Sequence, residues 1–484
     1  MSDPDDRIDG WLNAEVEPLA PPPGSFERIR RRAHRRKVRR ATMSAAGAAI
    51  VIAAAAAAPG IASTLLHSGS GRPGRPVAAG TPVPTSRPAA TSSGSGGVES
   101  QSSRPVPPPG SALSATTSGA LVPPNFQPTS VTFISSSIGA VIGQAGTRGH
   151  CATSFCTSLA GTSDYGRSWY GISAPVTGPP RGGQGVGQLR FLDLKHGWAF
   201  GPQLWVTNDG GANWTREPTH GMRVTDLETA GDRAFALFAR CTGTGTGFAA
   251  HCTSFSLYTS LAGTDQWQPV PGPAGSGLQL PQAAAGQAAS ASLVLTGGPA
   301  GGQGYLLAPS GELLSGPLTG AAWTVADPAL PCQPGAPGPS GQPSAALLGA
   351  DSNLLVLVCT SATDAASDTQ AKVIDESSDG GARWSQAGTG LPGGIAASVA
   401  IQAQENLVLL ATDAGLYRSG NGGASWQLAQ AGPGGAAAGE PGFGYVGMTS
   451  PSNGVALPAD PSLHEVFITT DGGRTWQSQA VSGP

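Results

Sequence analysis

Over residues 125–484 short apolar runs alternate with glycine-marked turns, so that a new run begins every ten or so positions. Residues 187–214 show the pattern best. F-L-D-L (191–194) reads as a first strand, K-H-G (195–197) as a turn and W-A-F (198–200) as a second strand. L-W-V-T (204–207) reads as a third strand, 208–213 as a second turn, and Trp214 as the opening of a fourth. The same succession recurs at 133–143 around Gly139 and at 446–457 around Gly454. Beta-branched and aromatic residues in runs this short predict an all-β fold.

One stretch returns along the chain. Residues 469–476 read T-T-D-G-G-R-T-W, 162–169 T-S-D-Y-G-R-S-W, 207–214 T-N-D-G-G-A-N-W and 377–384 S-S-D-G-G-A-R-W. Residues 419–426, S-G-N-G-G-A-S-W, carry Asn421 where the others carry an acid. Residues 260–267 and 315–323 keep only the tryptophan. The seven tryptophans, at 169, 214, 267, 323, 384, 426 and 476, are 42 to 61 positions apart. A period near 50 residues means a propeller or a solenoid. Seven units with room for four strands each predict a ring of seven four-stranded antiparallel blades, which leaves only short, protected edges.

The repeated stretch has a physical reading. Asp164, Asp209, Asp379, Asn421 and Asp471 can close a turn by accepting backbone N–H bonds from the residues two or three positions on. Gly166, Gly211, Gly381, Gly423 and Gly473 supply a positive φ at no steric cost. Trp169, Trp214, Trp384, Trp426 and Trp476 then bury a large apolar surface against a neighbouring unit. Recurrence in every unit is what scaffolding looks like, so these residues are expected to be structural rather than catalytic or metal-binding.

The chain before residue 125 is different in kind. Nine positive charges fall within 28–40, and the next 26 residues, 41–66, carry none. At about 1.5 Å per residue a helix of that length spans a bilayer core of roughly 30 Å. The basic run beside it places residues 1–40 in the cytoplasm and everything after Leu66 outside. A cleaved export signal is the alternative, small residues near Ala62 resembling a cleavage site. The basic run by itself would also suit nucleic acid or anionic lipid. Residues 67–124 are dominated by Pro, Ser, Gly, Thr and Ala, too poor in large apolar side chains to offset the entropy of ordering, and are expected to be a linker.

The repeated stretches resemble the BNR or Asp-box repeats of the sialidase-type β-propeller superfamily. The lead-in F-x-D-x-x-x-G-W-A-x-G (191–201) before T-x-D-G-G-x-x-W is most similar to the photosystem II assembly-factor-like branch. The N-terminal P-P-P-G-S-F-E-R-I-R-R-R (21–32) resembles tails of actinobacterial single-pass proteins. The propeller resemblance covers nearly all of 125–484 and implies turns on the blade periphery, away from a central ligand face. Its members include both glycosidases and non-enzymatic assembly factors, so it does not choose a function.

Residue chemistry narrows the choice. The sialidase resemblance would require an arginine motif in the first blade, but 131–137 reads V-T-F-I-S-S-S. Asp193, Asp226, Asp351 and Glu405 lie near predicted first strands and are the carboxylates a two-acid glycosidase would use, yet no catalytic set forms around them. Cys151, Cys156, Cys241, Cys252, Cys332 and Cys359 form an even set after the apolar segment, which favours disulfides, most simply 151–156, 241–252 and 332–359. His150 and His251 each precede a cysteine, but no C-x-x-C or H-x-x-x-H spacing supports zinc, and no cofactor is expected. From His67 onward 17 basic residues face 23 acidic ones, which argues against nucleic acid as an outside partner. The expectation is a membrane-anchored, extracytoplasmic propeller that binds a protein or a cell-envelope glycan without catalysis. A divergent sialidase-like glycoside hydrolase is the alternative, and signalling through the cytoplasmic tail a third.

Overall fold

The computed structural model describes Leu113 and residues 121–482, except 146–155, 182, 243–250, 273–275, 281–290, 299–300, 320, 328–329, 332–344, 361–369, 389–390 and 434–441. The cytoplasmic tail, the apolar segment 41–66 and nearly all of the linker lie outside the described residues. Among the described residues no helix is long and apolar enough to cross a membrane.

The described chain is a seven-bladed β-propeller. Seven sheets each hold four strands, every sheet built from four consecutive strands paired antiparallel. The blades occupy residues 127–172, 188–217, 223–269, 292–327, 345–386, 396–431 and 443–480. Within each, strands A to D run in chain order, and successive A strands approach one another around the axis.

Burial explains why the strands read as they do. Strand B is packed on both faces, so Leu354–Thr360 and Leu407–Thr412 are buried at every position. Such strands appear in the sequence as continuous apolar runs rather than as alternation. Strand D lies outermost and is short and polar, as in Thr215–Glu217 and Ser385–Gln386. One expected boundary shifts: the first strand of blade 2 is Gln188–Phe191, and Leu192, Asp193 and Leu194 belong to the following turn. The Leu192 N–H donates to the His196 carbonyl, and Asp193 Oδ1 accepts from the Lys195 and His196 N–H groups, so the turn starts before a longer strand can form.

Seven apolar clusters fill the seven interfaces between blades. Each repeated tryptophan packs against the preceding blade: Trp214 with Ile172, Trp267 with Val206, Trp323 with Phe235, Trp384 with Leu313, Trp426 with Ile374 and Trp476 with Leu409. Trp169 completes the series by packing with Val455 and Ile468 of blade 7. The ring therefore closes by the same side-chain contact that joins every other pair of blades, and among the described residues no strand is exchanged between its ends. Leu113, within the stretch expected to be linker, is buried with Ile142, Leu159 and Leu189 between blades 1 and 2, and its carbonyl accepts from Tyr170 Oη at 3.3 Å.

Candidate functional site

The five polar turns share one geometry between strands C and D. Thr469 Oγ1 accepts from the Gly473 N–H and donates to Asp471 Oδ1, both at 2.9 Å. Asp471 Oδ1 also accepts from the Arg474 and Thr475 N–H groups, and Oδ2 from the Thr475 hydroxyl at 2.6 Å. Asp164 takes the Ser168 N–H and hydroxyl in the same way, Asp209 the Asn213 backbone and side-chain amides, and Asp379 the Arg383 N–H. Asn421 accepts from the Ser425 N–H at 2.9 Å and donates to its hydroxyl, so an amide serves in the acid's place. The bonds reach mainly the fourth residue downstream, one or two further than the sequence suggested.

Gly211 and Gly473 sit at φ +91° and +75°, and a Cβ there would lie 2.6 Å from Ile172 Cγ2 and 2.7 Å from Leu409 Cδ2. These glycines serve both the turn and the contact with the preceding blade. Burial alone would raise the Asp209 and Asp471 carboxyls, but the hydrogen bonds outweigh it and hold both below the ordinary range. The next residue's N–H ties each turn to the A–B turn of its own blade, as in Gly210 to Lys195 O, Gly422 to Asn406 O and Gly472 to Ser452 O. All five turns thus lie at the A–B end of the ring.

A concave region that gathers polar groups lies at the other end, where A strands begin and B strands finish. A cavity of about 480 Å³ opens there among blades 1, 2, 3 and 7. Pro180, Pro202, Val224 and the Cys241–Cys252 disulfide form its apolar wall. Gln144, Gln188, Thr225, Arg223, Arg190 and Tyr445 supply polar groups, and among the described residues no carboxylate lines it. This mixture, apolar walls with a few convergent polar groups, is what small-ligand and peptide sites share.

Below the cavity the axial channel carries, among the described residues, one charged group. Arg190 of blade 2 forks onto Glu228 of blade 3, with Nη2 2.7 Å from Oε1 and Nε 3.1 Å from Oε2. A bidentate pair of this kind fixes geometry as well as charge. Asp226, two residues from Glu228, accepts the Leu227 N–H and, with its other oxygen, the Leu293 N–H of blade 4 at 2.9 Å. Burial and the neighbouring Glu228 push the Asp226 carboxyl up to about 7 against the pull of Leu293 and Arg190. Burial likewise raises the Tyr445 phenol, opposed by Arg190. Blades 4 to 7 present Leu293, Leu295, Leu348, Val399, Ile401 and Val446 to the same channel, leaving its charge on one side.

Of the four acids singled out in the sequence, only Asp226 reaches this region. Asp193 caps its turn and holds His196 Nδ1 at 2.8 Å. Asp351 accepts the Ala403 N–H, and Glu405 lies in the short 3-10 turn Ala403–Glu405 of blade 6. Arg190, Glu228 and Tyr445 were not anticipated. A charged residue inside an otherwise apolar first strand, as in Q-L-R-F and V-T-D-L-E, was the available signal. Cys241 and Cys252 are disulfide-bonded across strands B and C of blade 3, and Cys156 and Cys359 are disulfide-bonded too. Cys151, Cys332 and His150 fall outside the described residues. Among the described residues no group of three or more His, Cys, Asp or Glu could hold a metal ion.

No protein-family model matches the chain, and no curated protein matches it. Solved structures do. The chain is similar to YCF48 bound to D1 peptide, at 16% identity over 72% of this chain and 95% of that one, TM-score 0.42. It is similar to YCF48 from Cyanidioschyzon merolae at 12% identity over 58% and 80%, TM-score 0.38. An ancestral GH74 enzyme matches at 12% identity over 75% of this chain and 47% of that one, TM-score 0.46.

Proposed function

We propose that this chain is a membrane-anchored, extracytoplasmic Asp-box propeller that binds a protein or a cell-envelope glycan without catalysis. The observation that carries the reading is the cavity above the channel, apolar-walled, furnished with amides, hydroxyls and arginine, and with no carboxylate among its described lining residues. Such a wall offers hydrogen bonds and one sign of charge to a partner but no acid and base for turnover. The acids nearby are engaged in the fold: Glu228 by the Arg190 fork, Asp226 by two backbone N–H groups. The outward orientation rests on the basic run before the apolar segment 41–66.

One observation favours the alternative of a glycoside hydrolase. Asp226 and Glu228 are neighbouring carboxylates, and burial together with the Glu228 charge raises the Asp226 carboxyl towards the protonated form a general acid uses. Incubating the purified protein with aryl glycosides and wall polysaccharides separates the two. The binding reading expects no turnover; hydrolysis abolished by Asp226→Asn or Glu228→Gln would replace it with the enzymatic one.

A further inference from the structure

We propose that Arg418 and Arg474 form a binding site for a phosphate group at the junction of blades 6 and 7, on the end of the ring opposite the cavity. Arg418 stands near the end of strand C of blade 6, Gly415–Ser419, and reaches across to blade 7, where its Nε donates to the Gly472 carbonyl at 2.8 Å. Arg474, in the polar turn of blade 7, donates through Nη1 to the Asp471 carbonyl at 2.7 Å. The two carbonyls belong to consecutive residues, so both guanidiniums are moored to one short piece of backbone. At the next junction blade 7 carries Ile468 in the place of Arg418, so the turn of blade 1, with Arg167, meets no such guanidinium from its neighbour.

Most of the donors in this pair are unused. A guanidinium has five N–H groups, and each of these spends one on a backbone carbonyl. Among the described residues neither arginine forms an ion pair, and Arg418 Nη1 and Nη2 and Arg474 Nε and Nη2 find no acceptor. Gly420 and Gly472 leave the space beside them uncovered: a Cβ at Gly420 would lie 3.0 Å from Arg418 Nη1, and one at Gly472 3.8 Å from Arg474 Nη1. Burial, and after it the Arg474 charge, lower the Arg418 pKa, opposed by Asp471 and Glu405. The Asp471 oxygens are already taken by two N–H groups and two hydroxyls, and Glu405 is exposed in the 3-10 turn of blade 6. An anion between the guanidiniums would use their free donors and relieve their repulsion.

The arrangement selects the kind of anion. A carboxylate is planar and is satisfied by one guanidinium fork, whereas a tetrahedral phosphate offers oxygens to two forks at once. A free phosphate ion and a phosphate ester present the same oxygens, and the site is assigned to that shared chemistry. It does not depend on what the cavity binds.

The test is isothermal titration calorimetry on the purified full chain at low ionic strength, with inorganic phosphate, glycerol phosphate and acetate as ligands. Inorganic phosphate should bind about tenfold or more tightly than acetate, and its affinity should fall as potassium chloride is added. Arg474→Gln keeps the backbone N–H that Asp471 accepts, so its turn should stay folded while phosphate binding weakens by about tenfold or more. Arg418→Lys retains the charge without the fork and should weaken it by about threefold or more. Glu405→Gln should tighten it by about twofold, and Arg216→Gln, at an exposed position of blade 2, should change nothing. Glycerol phosphate bound as tightly as inorganic phosphate would support the site as one for phosphate esters, and the inorganic ion bound alone as one for free phosphate. No binding of either, acetate bound as tightly as phosphate, or equal losses in Arg474→Gln and Arg216→Gln would each overturn the proposal and leave two solvated arginines.

Discussion

Tyr165 in blade 1 donates its phenol hydroxyl both to the Thr469 carbonyl at 2.9 Å and to the Gly454 carbonyl at 2.8 Å in blade 7. Residues 304 and 289 positions away are thereby held by one side chain, which stands where all four other polar turns carry a glycine, at 210, 380, 422 and 472. Burial raises its pKa further than its hydrogen bonds lower it, so the hydroxyl stays a donor at any ordinary pH. Tyr165→Phe should cost about 1–3 kcal/mol, since a donor to buried carbonyls is lost. Chemical denaturation measures this; a change within error would remove the bond from the account of closure.

Asp471 and Asn421 hold equivalent turns with the same first-position hydroxyl bond. Asp471→Ala should destabilise by about 1–2 kcal/mol because two N–H groups and two hydroxyls lose their acceptor. Asp471→Asn should cost less than half of that, because Asn421 shows that an amide can serve. Equal losses in the two variants, read from urea midpoints, would contradict this account of the turn.

The acids predict pH dependence of opposite sign. The folded Asp226 carboxyl titrates at about 7 against 3.8 unfolded, so the fold holds its proton more tightly. Its contribution is complete below pH 3.8 and is lost as pH rises towards about 7. Asp226→Asn should flatten the stability profile over that interval. Asp209 and Asp471, held low, contribute above the ordinary carboxylate range, and their share fades as pH falls through it. Thermal melts from pH 3 to 8 on the wild type and Asp226→Asn separate the two signs.

Leu113 makes the boundary of the folded part a measurable quantity. Its side chain is 2% exposed between blades 1 and 2. Leu113→Ala should cost about 2 kcal/mol or more, and a chain beginning at residue 121 should lose a similar amount. Unchanged stability in both would place the start of the cooperative unit after Leu113.

Much of the ring was legible because its signal is local and repeated. Trp323 and Trp267 kept their spacing after the polar residues around them had gone, and both sit at inter-blade contacts. The strand boundary at Phe191 was misplaced because a capping aspartate looks like a polar strand position until its bonds to Lys195 and His196 are seen. The channel group was much harder to read. Arg190, Glu228 and Tyr445 come together only because A strands from blades 2, 3 and 7 converge on one axis, and nothing within a single repeat announces that meeting. The cavity depends on the same convergence.

The most direct measurement places a photo-crosslinking residue at Gln188 in the cavity, with a control at Asn208 on the opposite end, in the native cell. A binding propeller predicts one discrete adduct from position 188, lost when Arg223→Glu reverses the charge of the wall, and none from position 208. Adducts that are equal from both positions, or that ignore the charge reversal, would contradict a partner site in this cavity.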